Sequence, residues 1–150
     1  ILGSGGSSRL YQTLVKEKKL FSNIDCYHFG NLDKGLFTIE GKLVKGVSIQ
    51  QAEAAVDEIL LQIQKEPVME IELQKVKNQK LIQFYNQVET INGKSNNIGT
   101  YEVFFGDYRK MFDAPKEYNK VTADDIKRVA NTYFKKSART VGVLKTNVED

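Results

Sequence analysis

The residues able to do chemistry are few, and their spacing excludes more than it offers. Only one histidine, His28, stands in the 150 residues. The helical zinc motifs need two imidazoles at fixed spacing plus a carboxylate, so no catalytic zinc site of that kind is encoded. His28 lies between Tyr27 and Phe29 in an alternating stretch, where an ordinary strand residue is expected. It would have to be the base of any histidine-dependent serine or cysteine triad, and no nucleophile-elbow pattern supports one. The single cysteine, Cys26, permits neither an intrachain disulfide nor a multi-cysteine metal site. The run Gly3-Ser4-Gly5-Gly6-Ser7-Ser8 could offer backbone amides to an anion at a helix start, but no Gly-Lys-Ser/Thr follows it and no strand immediately precedes it. Its minimum reading is a sharp turn into a helix, with glycine supplying positive φ and Ser7 or Ser8 capping. Glu17, Glu53, Asp57, Glu58, Glu70, Glu72, Asp124 and Asp125 fall in helical charge patterns, for which a solvated face is the default. The aromatic residues at 84, 85, 101, 104, 105 and 108 are read as core.

These residues must be positioned by the elements around them. Leu10, Leu14 and Val15 recur at helical spacing, and the basic residues from Lys16 to Lys19 suit the C-terminal end of a helix closing near Leu20. Ser22 to Phe29 reads as a strand, with Ile24, Cys26 and His28 on one face and Asn23, Asp25, Tyr27 and Phe29 on the other. A turn over 30–35 and a second strand from Leu36 to Leu43, with Phe37 and Ile39 facing one way, complete an antiparallel hairpin. Ser48-x-x-Gln51 opens a helix whose apolar face is Ala52, Val56, Ile59, Leu60 and Ile63, and Pro67 stops it. A long helix from Glu70 carries Leu73, Val76, Leu81, Phe84, Tyr85, Val88 and Ile91 until Asn92-Gly93 interrupts it. A short helix ending at Gly106, a segment from Tyr108 to Phe112 and a loop to Val121 follow. Thr122 then starts a helix with Ile126, Val129, Ala130 and Tyr133 on its buried face. Thr140 to Leu144 reads as a short central strand. The predicted fold is α+β, a two-layer sandwich with helices on one face of an antiparallel or mixed sheet.

Composition agrees with a single domain spanning 1–150: 41% hydrophobic and 27% charged residues are the balance of a globular protein. Twenty-two basic and nineteen acidic residues give a net charge of +3 spread along the chain, without the basic stripe that a nucleic acid partner demands. No apolar run approaches the length of a membrane span. Ile1-Leu2 before a glycine reads as the last apolar turn of a helix, so the domain is expected to be truncated at its N-terminal side and to lack its opening strands.

Three ordered blocks resemble the pitrilysin/insulinase family of zinc metallopeptidases, which includes the mitochondrial processing peptidase. They are Leu2 to Lys18 (Leu-Gly-Ser-Gly-Gly-Ser-Ser-Arg-Leu-Tyr-Gln-Thr-Leu-Val-Lys-Glu-Lys), Glu70 to Gln79 (Glu-Ile-Glu-Leu-Gln-Lys-Val-Lys-Asn-Gln), and Val121 to Ala130 with Thr140 to Leu144. The resemblance implies two similar α+β halves. One is an N-terminal half carrying an inverted His-x-x-Glu-His zinc motif, and the other a companion half that closes over it around a peptide chamber. This chain resembles the later part of the companion. It lacks the zinc ligands and the water-activating glutamate, so zinc is expected in the other domain and these residues should be inactive alone. The implied partners are that zinc-bearing half, a peptide substrate and a homologous partner subunit, and the implied setting is a bacterial periplasm or cell envelope.

Companion halves often carry an arginine and a tyrosine that bind the substrate backbone at the helix-to-strand junction. The resemblance places Lys16 at the arginine position and Ser22 at the tyrosine position. Lysine keeps the charge without the planar fork, and serine is too short to reach as tyrosine does. Two readings follow. The chain is either the non-catalytic domain of a zinc metalloendopeptidase or a scaffold that gathers peptides for an active partner.

Overall fold

The computed structural model describes residues 1–30 and 35–145. A π-helical segment, Tyr11–Glu17, leads into strands β1 (Phe21–Phe29) and β2 (Leu36–Leu43). Helices α1 (Ile49–Lys65), α2 (Glu70–Glu89) and α3 (Ile91–Phe105) follow. A 3₁₀ turn, Tyr108–Asp113, joins α3 to α4 (Ala114–Lys120), and α5 (Ala123–Tyr133) and a last 3₁₀ turn, Lys136–Ala138, complete the order. The architecture is the expected α+β arrangement of helices packed on an antiparallel pair of strands.

β1 and β2 pair antiparallel, with Ile24 opposite Gly41, Cys26 opposite Ile39 and His28 opposite Phe37. The turn expected over 30–35 lies largely at residues 31–34, outside the described residues. The register slips between Phe21 and Asn23, so Ser22 is an extra residue bulged out of the ladder. That bulge changes the parity of the strand, and Phe21 joins Ile24 in the core although simple alternation assigns them to opposite faces. Leu10, Leu14, Leu20, Phe21, Ile24, Ala52, Ala55 and Ile59 form one cluster, with Cys26, Ile39 and Leu43 half-buried against it. The π-helical segment and α1 therefore cover the same face of the hairpin. A smaller cluster of Phe84, Met111 and Ala114 joins α2 to the 3₁₀ turn and α4, and Tyr101 of α3 leans on it.

Several local expectations are met for the stated reasons. The Ser48 hydroxyl accepts from the Gln51 amide at 3.1 Å to start α1. Thr122 and Asp125 exchange hydrogen bonds in a full capping box at α5. Gly106, at φ 70°, closes α3 in the left-handed conformation that glycine adopts without strain.

Other expectations are corrected. The first helix ends at Glu17 rather than near Leu20, because the Lys18 amide reaches back to the Thr13 carbonyl (2.8 Å) and the Leu20 amide to that of Leu14 (2.8 Å), a wider closure than an α-turn. The break in the long helix falls at Thr90, whose hydroxyl accepts from the Gly93 amide at 3.0 Å and so starts α3. Gly93 is there for close approach, since a Cβ at this position would stand 1.7 Å from the Gln87 carbonyl oxygen. The stretch to Val121 is not a loop: Pro115 occupies the first turn of α4, where its missing N–H leaves no helical bond unmade. Tyr85, Phe104, Phe105 and Tyr108 are exposed rather than core, as are Val129 and Tyr133 of α5, whose buried side centres on Ala130. Thr140 to Leu144 is extended but unpaired, with Val141 and Val143 half exposed and Leu144 almost wholly so. The sheet has two strands among the described residues, and this segment joins neither.

α5 is held to α1 by an exchange of amides. The Gln64 side chain donates to the carbonyls of Ala130 (3.1 Å) and Phe134 (2.9 Å), and Asn131 donates back to the Gln64 carbonyl (3.0 Å). These are the carbonyls that a helix end leaves unpaired. Gln64→Ala is expected to lower stability by about 1–2 kcal/mol, read from urea unfolding, whereas Gln62→Ala on the exposed side of the same helix should leave the midpoint in place.

Candidate functional site

The glycine-serine turn is stitched by backbone bonds. The Arg9 and Leu10 amides, which would be free at an ordinary helix start, donate to the carbonyls of Ile1 (3.0 Å) and Leu2 (2.9 Å). Ile1 and Leu2 are accordingly not the end of a helix. The expected serine cap is absent: the Ser8 hydroxyl is buried without a hydrogen-bond partner, and the Ser7 hydroxyl accepts from the Lys75 ammonium. With those amides engaged, the turn does not present the cradle that an anion requires. Gly3 lies against β1, its carbonyl accepting from the Cys26 amide at 3.4 Å, and a Cβ there would stand 2.5 Å from that nitrogen. Gly5, at φ 82°, makes the turn itself.

Arg9 fastens the turn to α2 through a two-pronged pair with Glu72, Nε to Oε1 at 2.9 Å and Nη2 to Oε2 at 2.7 Å. The guanidinium holds the Glu72 carboxyl below the usual carboxylate range, and the pair raises Arg9 in turn. Glu72 was expected on a solvated face, but it is mostly buried with a structural partner.

The helix-to-strand junction holds both residues named from the sequence. Lys16 lies in the last turn of the π-helical segment, exposed, with its ammonium 5.5 Å from the centre of the Tyr11 ring. Ser22 is the bulged residue of β1, also exposed, and its hydroxyl donates to the Lys42 carbonyl at 3.1 Å. Among the described residues no hydrogen bond joins the two, and each is engaged by a different neighbour. Between them Lys18 pairs with Glu58 of α1, and Lys19 takes a positive φ of 52°, unusual for a side chain. The Leu20 carbonyl accepts from the Val44 amide at 3.0 Å, which brings the turn after β2 alongside. Tyr11 was missed as the partner of Lys16. Their five-residue spacing brings side chains together in a π-helical turn but not in an α-helix, where neighbours stand three or four apart.

The other sequence candidates stay separate. His28 is exposed toward the far end of the hairpin, opposite Phe37. Cys26 is half-buried beneath Gly3, and burial pushes its thiol up, away from the reactive thiolate. Two open clefts on α2 and α3 are lined by amides and hydroxyls such as Gln83, Asn86, Gln87, Asn97 and Thr100, together with Ile82, and contain no titratable group. Among the described residues no group of three or more His, Cys, Asp or Glu gathers as metal ligands would.

Fold and site together define an α+β domain that assembles no catalytic or zinc-binding constellation among its described residues, built around a turn, a wide helix and a bulged strand. Residues 1–80 match the Peptidase M16 inactive domain, more than half of the chain, and the chain belongs to that family. It is 26% identical to the uncharacterized zinc protease YmxG of Bacillus subtilis over 89% of its length, and 26% identical to the zinc protease PqqE of Helicobacter pylori over 97%. It spans about a third (32%) of the length of each of these relatives. The solved structure of a candidate zinc protease from Bordetella pertussis Tohama I superposes with a TM-score of 0.82 at 26% identity, covering 97% of this chain and 80% of that one. An inactive peptidase domain from Bordetella parapertussis shares the fold at a TM-score of 0.76 and 24% identity, over 95% of this chain and 76% of that one.

Proposed function

We propose that the chain is the non-catalytic domain of a zinc-dependent metalloendopeptidase, forming the wall of a peptide chamber opposite a zinc-bearing domain. The supporting observation is the match of residues 1–80 to an inactive peptidase domain, in a chain whose described residues gather no metal ligands. The residues present do not fit zinc, so the ion and the hydrolytic step belong to the other domain. The contribution of this chain is binding: the junction from Lys16 to Ser22 faces an unfolded peptide substrate. The expected setting is a bacterial periplasm or cell envelope.

The changed junction favours a second reading. Lys16 and Ser22 stand where the family resemblance leads one to expect arginine and tyrosine, and both are engaged with residues of this chain. A scaffold that gathers peptides for an active partner subunit would need no clamp at those positions. The two are separated by assaying peptide cleavage with this chain alone, with a zinc-bearing family domain alone, and with both mixed. The chain alone should cleave nothing, and mixing should raise cleavage. If Lys16→Ala raises KM in the mixture, the junction touches substrate. An unchanged KM with enhancement retained selects the scaffold, and no enhancement at all overturns both readings.

A further inference from the structure

The exposed lysines of this chain converge on the junction from two sides. Lys16, Lys18 and Lys19 follow from the helix end, where cations offset the negative pole of the helix dipole. The dipole gives no reason for Lys42 and Lys45, which come from the other arm. Lys42 pairs in register with Asn23, and its carbonyl holds the Ser22 hydroxyl; Lys45 sits in the turn that the Val44–Leu20 hydrogen bond draws alongside. All five lysines are exposed. The carboxylates at the same end are Glu17 and Glu58, the latter paired with Lys18. Glu40, further along β2, accepts from the Tyr27 hydroxyl. Five lysines against two carboxylates leave an excess as large as the net charge of the whole chain, +3, so the rest of the sequence is nearly balanced.

We propose that this end selects acidic peptide segments. The inference rests on the reading that the junction faces a peptide, and it adds which peptides are favoured. Like charges held together on one surface repel one another in the free protein, and an extended chain bearing Asp and Glu relieves that repulsion while it binds. Ammonium groups on flexible stems suit this task better than a planar fork would, because they follow carboxylates at variable spacing instead of fixing one geometry. A peptide rich in Lys and Arg meets the same surface at a penalty.

The test measures binding of three peptides of equal length to the full chain by fluorescence anisotropy, one acidic, one neutral and one basic, each carrying an uncharged dye. The acidic peptide should bind about tenfold more tightly than the basic one at low ionic strength, and the gap should narrow as salt is added. Combined replacement of Lys19→Glu, Lys42→Glu and Lys45→Glu should abolish or reverse the preference without changing the circular dichroism spectrum. Equal affinity for acidic and basic peptides, or a preference that survives the replacements, overturns the proposal. If the neutral peptide binds and charge makes no difference, only the acidic preference is lost. If none of the three binds, the peptide-facing reading falls with it. Should the triple variant fail to fold, the acidic-to-basic ratio and its salt dependence in the unaltered chain decide the matter.

Discussion

Leu14→Ala is expected to cost about 3 kcal/mol and to lower the melting temperature by roughly 10 °C. The Leu14 side chain is fully buried among Leu10, Ile24, Ala52 and Ile59, and its removal leaves a cavity in the cluster that joins helix, hairpin and α1. The same residue has a second task, because its carbonyl accepts the Leu20 amide that closes the wide turn. Loosening its anchor should therefore let the junction shift, and peptide binding should weaken although Leu14 touches no exposed surface. Leu14→Met, which keeps volume and polarity, should cost less than about 1.5 kcal/mol and spare binding. Calorimetry and anisotropy on the two variants check this. Equal loss in both would mean that the site is governed by branching at position 14 rather than by filled volume.

Arg9→Ala should cost about 1.5–3 kcal/mol, since it strands the mostly buried Glu72 carboxylate beside α2. Adding Glu72→Ala should recover part of that loss, because the stranded charge goes with it, and urea unfolding of the four members of the cycle measures the coupling. The pH dependence has a definite sign. Glu72 titrates lower in the folded chain than in the unfolded one, so its contribution is fully present above the ordinary carboxylate range and fades as pH falls through the lowered folded value. Arg9 stays charged throughout that interval. The unaltered chain should therefore lose its advantage over Arg9→Ala in acid and keep it at neutral pH. An advantage independent of pH down to strong acid would show that Arg9 stabilises by packing its stem rather than by pairing.

Local rules carried much of the architecture. Ser48 and Pro67 bracket α1, Thr122-x-x-Asp125 starts α5 and Gly106 ends α3 because each acts within a few residues of itself. Failures came where the deciding partner is distant in sequence. Val141 and Val143 satisfy the side-chain pattern of a strand, but strand formation also needs a neighbour for the backbone, and none is paired with them among the described residues. Ser22 looked like an ordinary alternating position, and only its pairing with β2 reveals the bulge. Gly93 reads as a breaker in isolation, while its actual constraint is the Gln87 carbonyl. For the site, the junction itself was legible as a stretch. The roles of Tyr11 and of the lysines from β2 were not, because they depend on a wide helical turn and on the cross-strand register.

α3 buries none of its own residues and leans on the smaller core only through Tyr101. What it must preserve is a hydroxyl at Thr90, a bare α-carbon at Gly93, one aromatic contact and a left-handed residue at Gly106. The other positions answer to no packing neighbour. Over generations such a helix can drift widely in sequence while its ends stay fixed, and so it is the part of the surface on which the relatives of this chain are freest to differ.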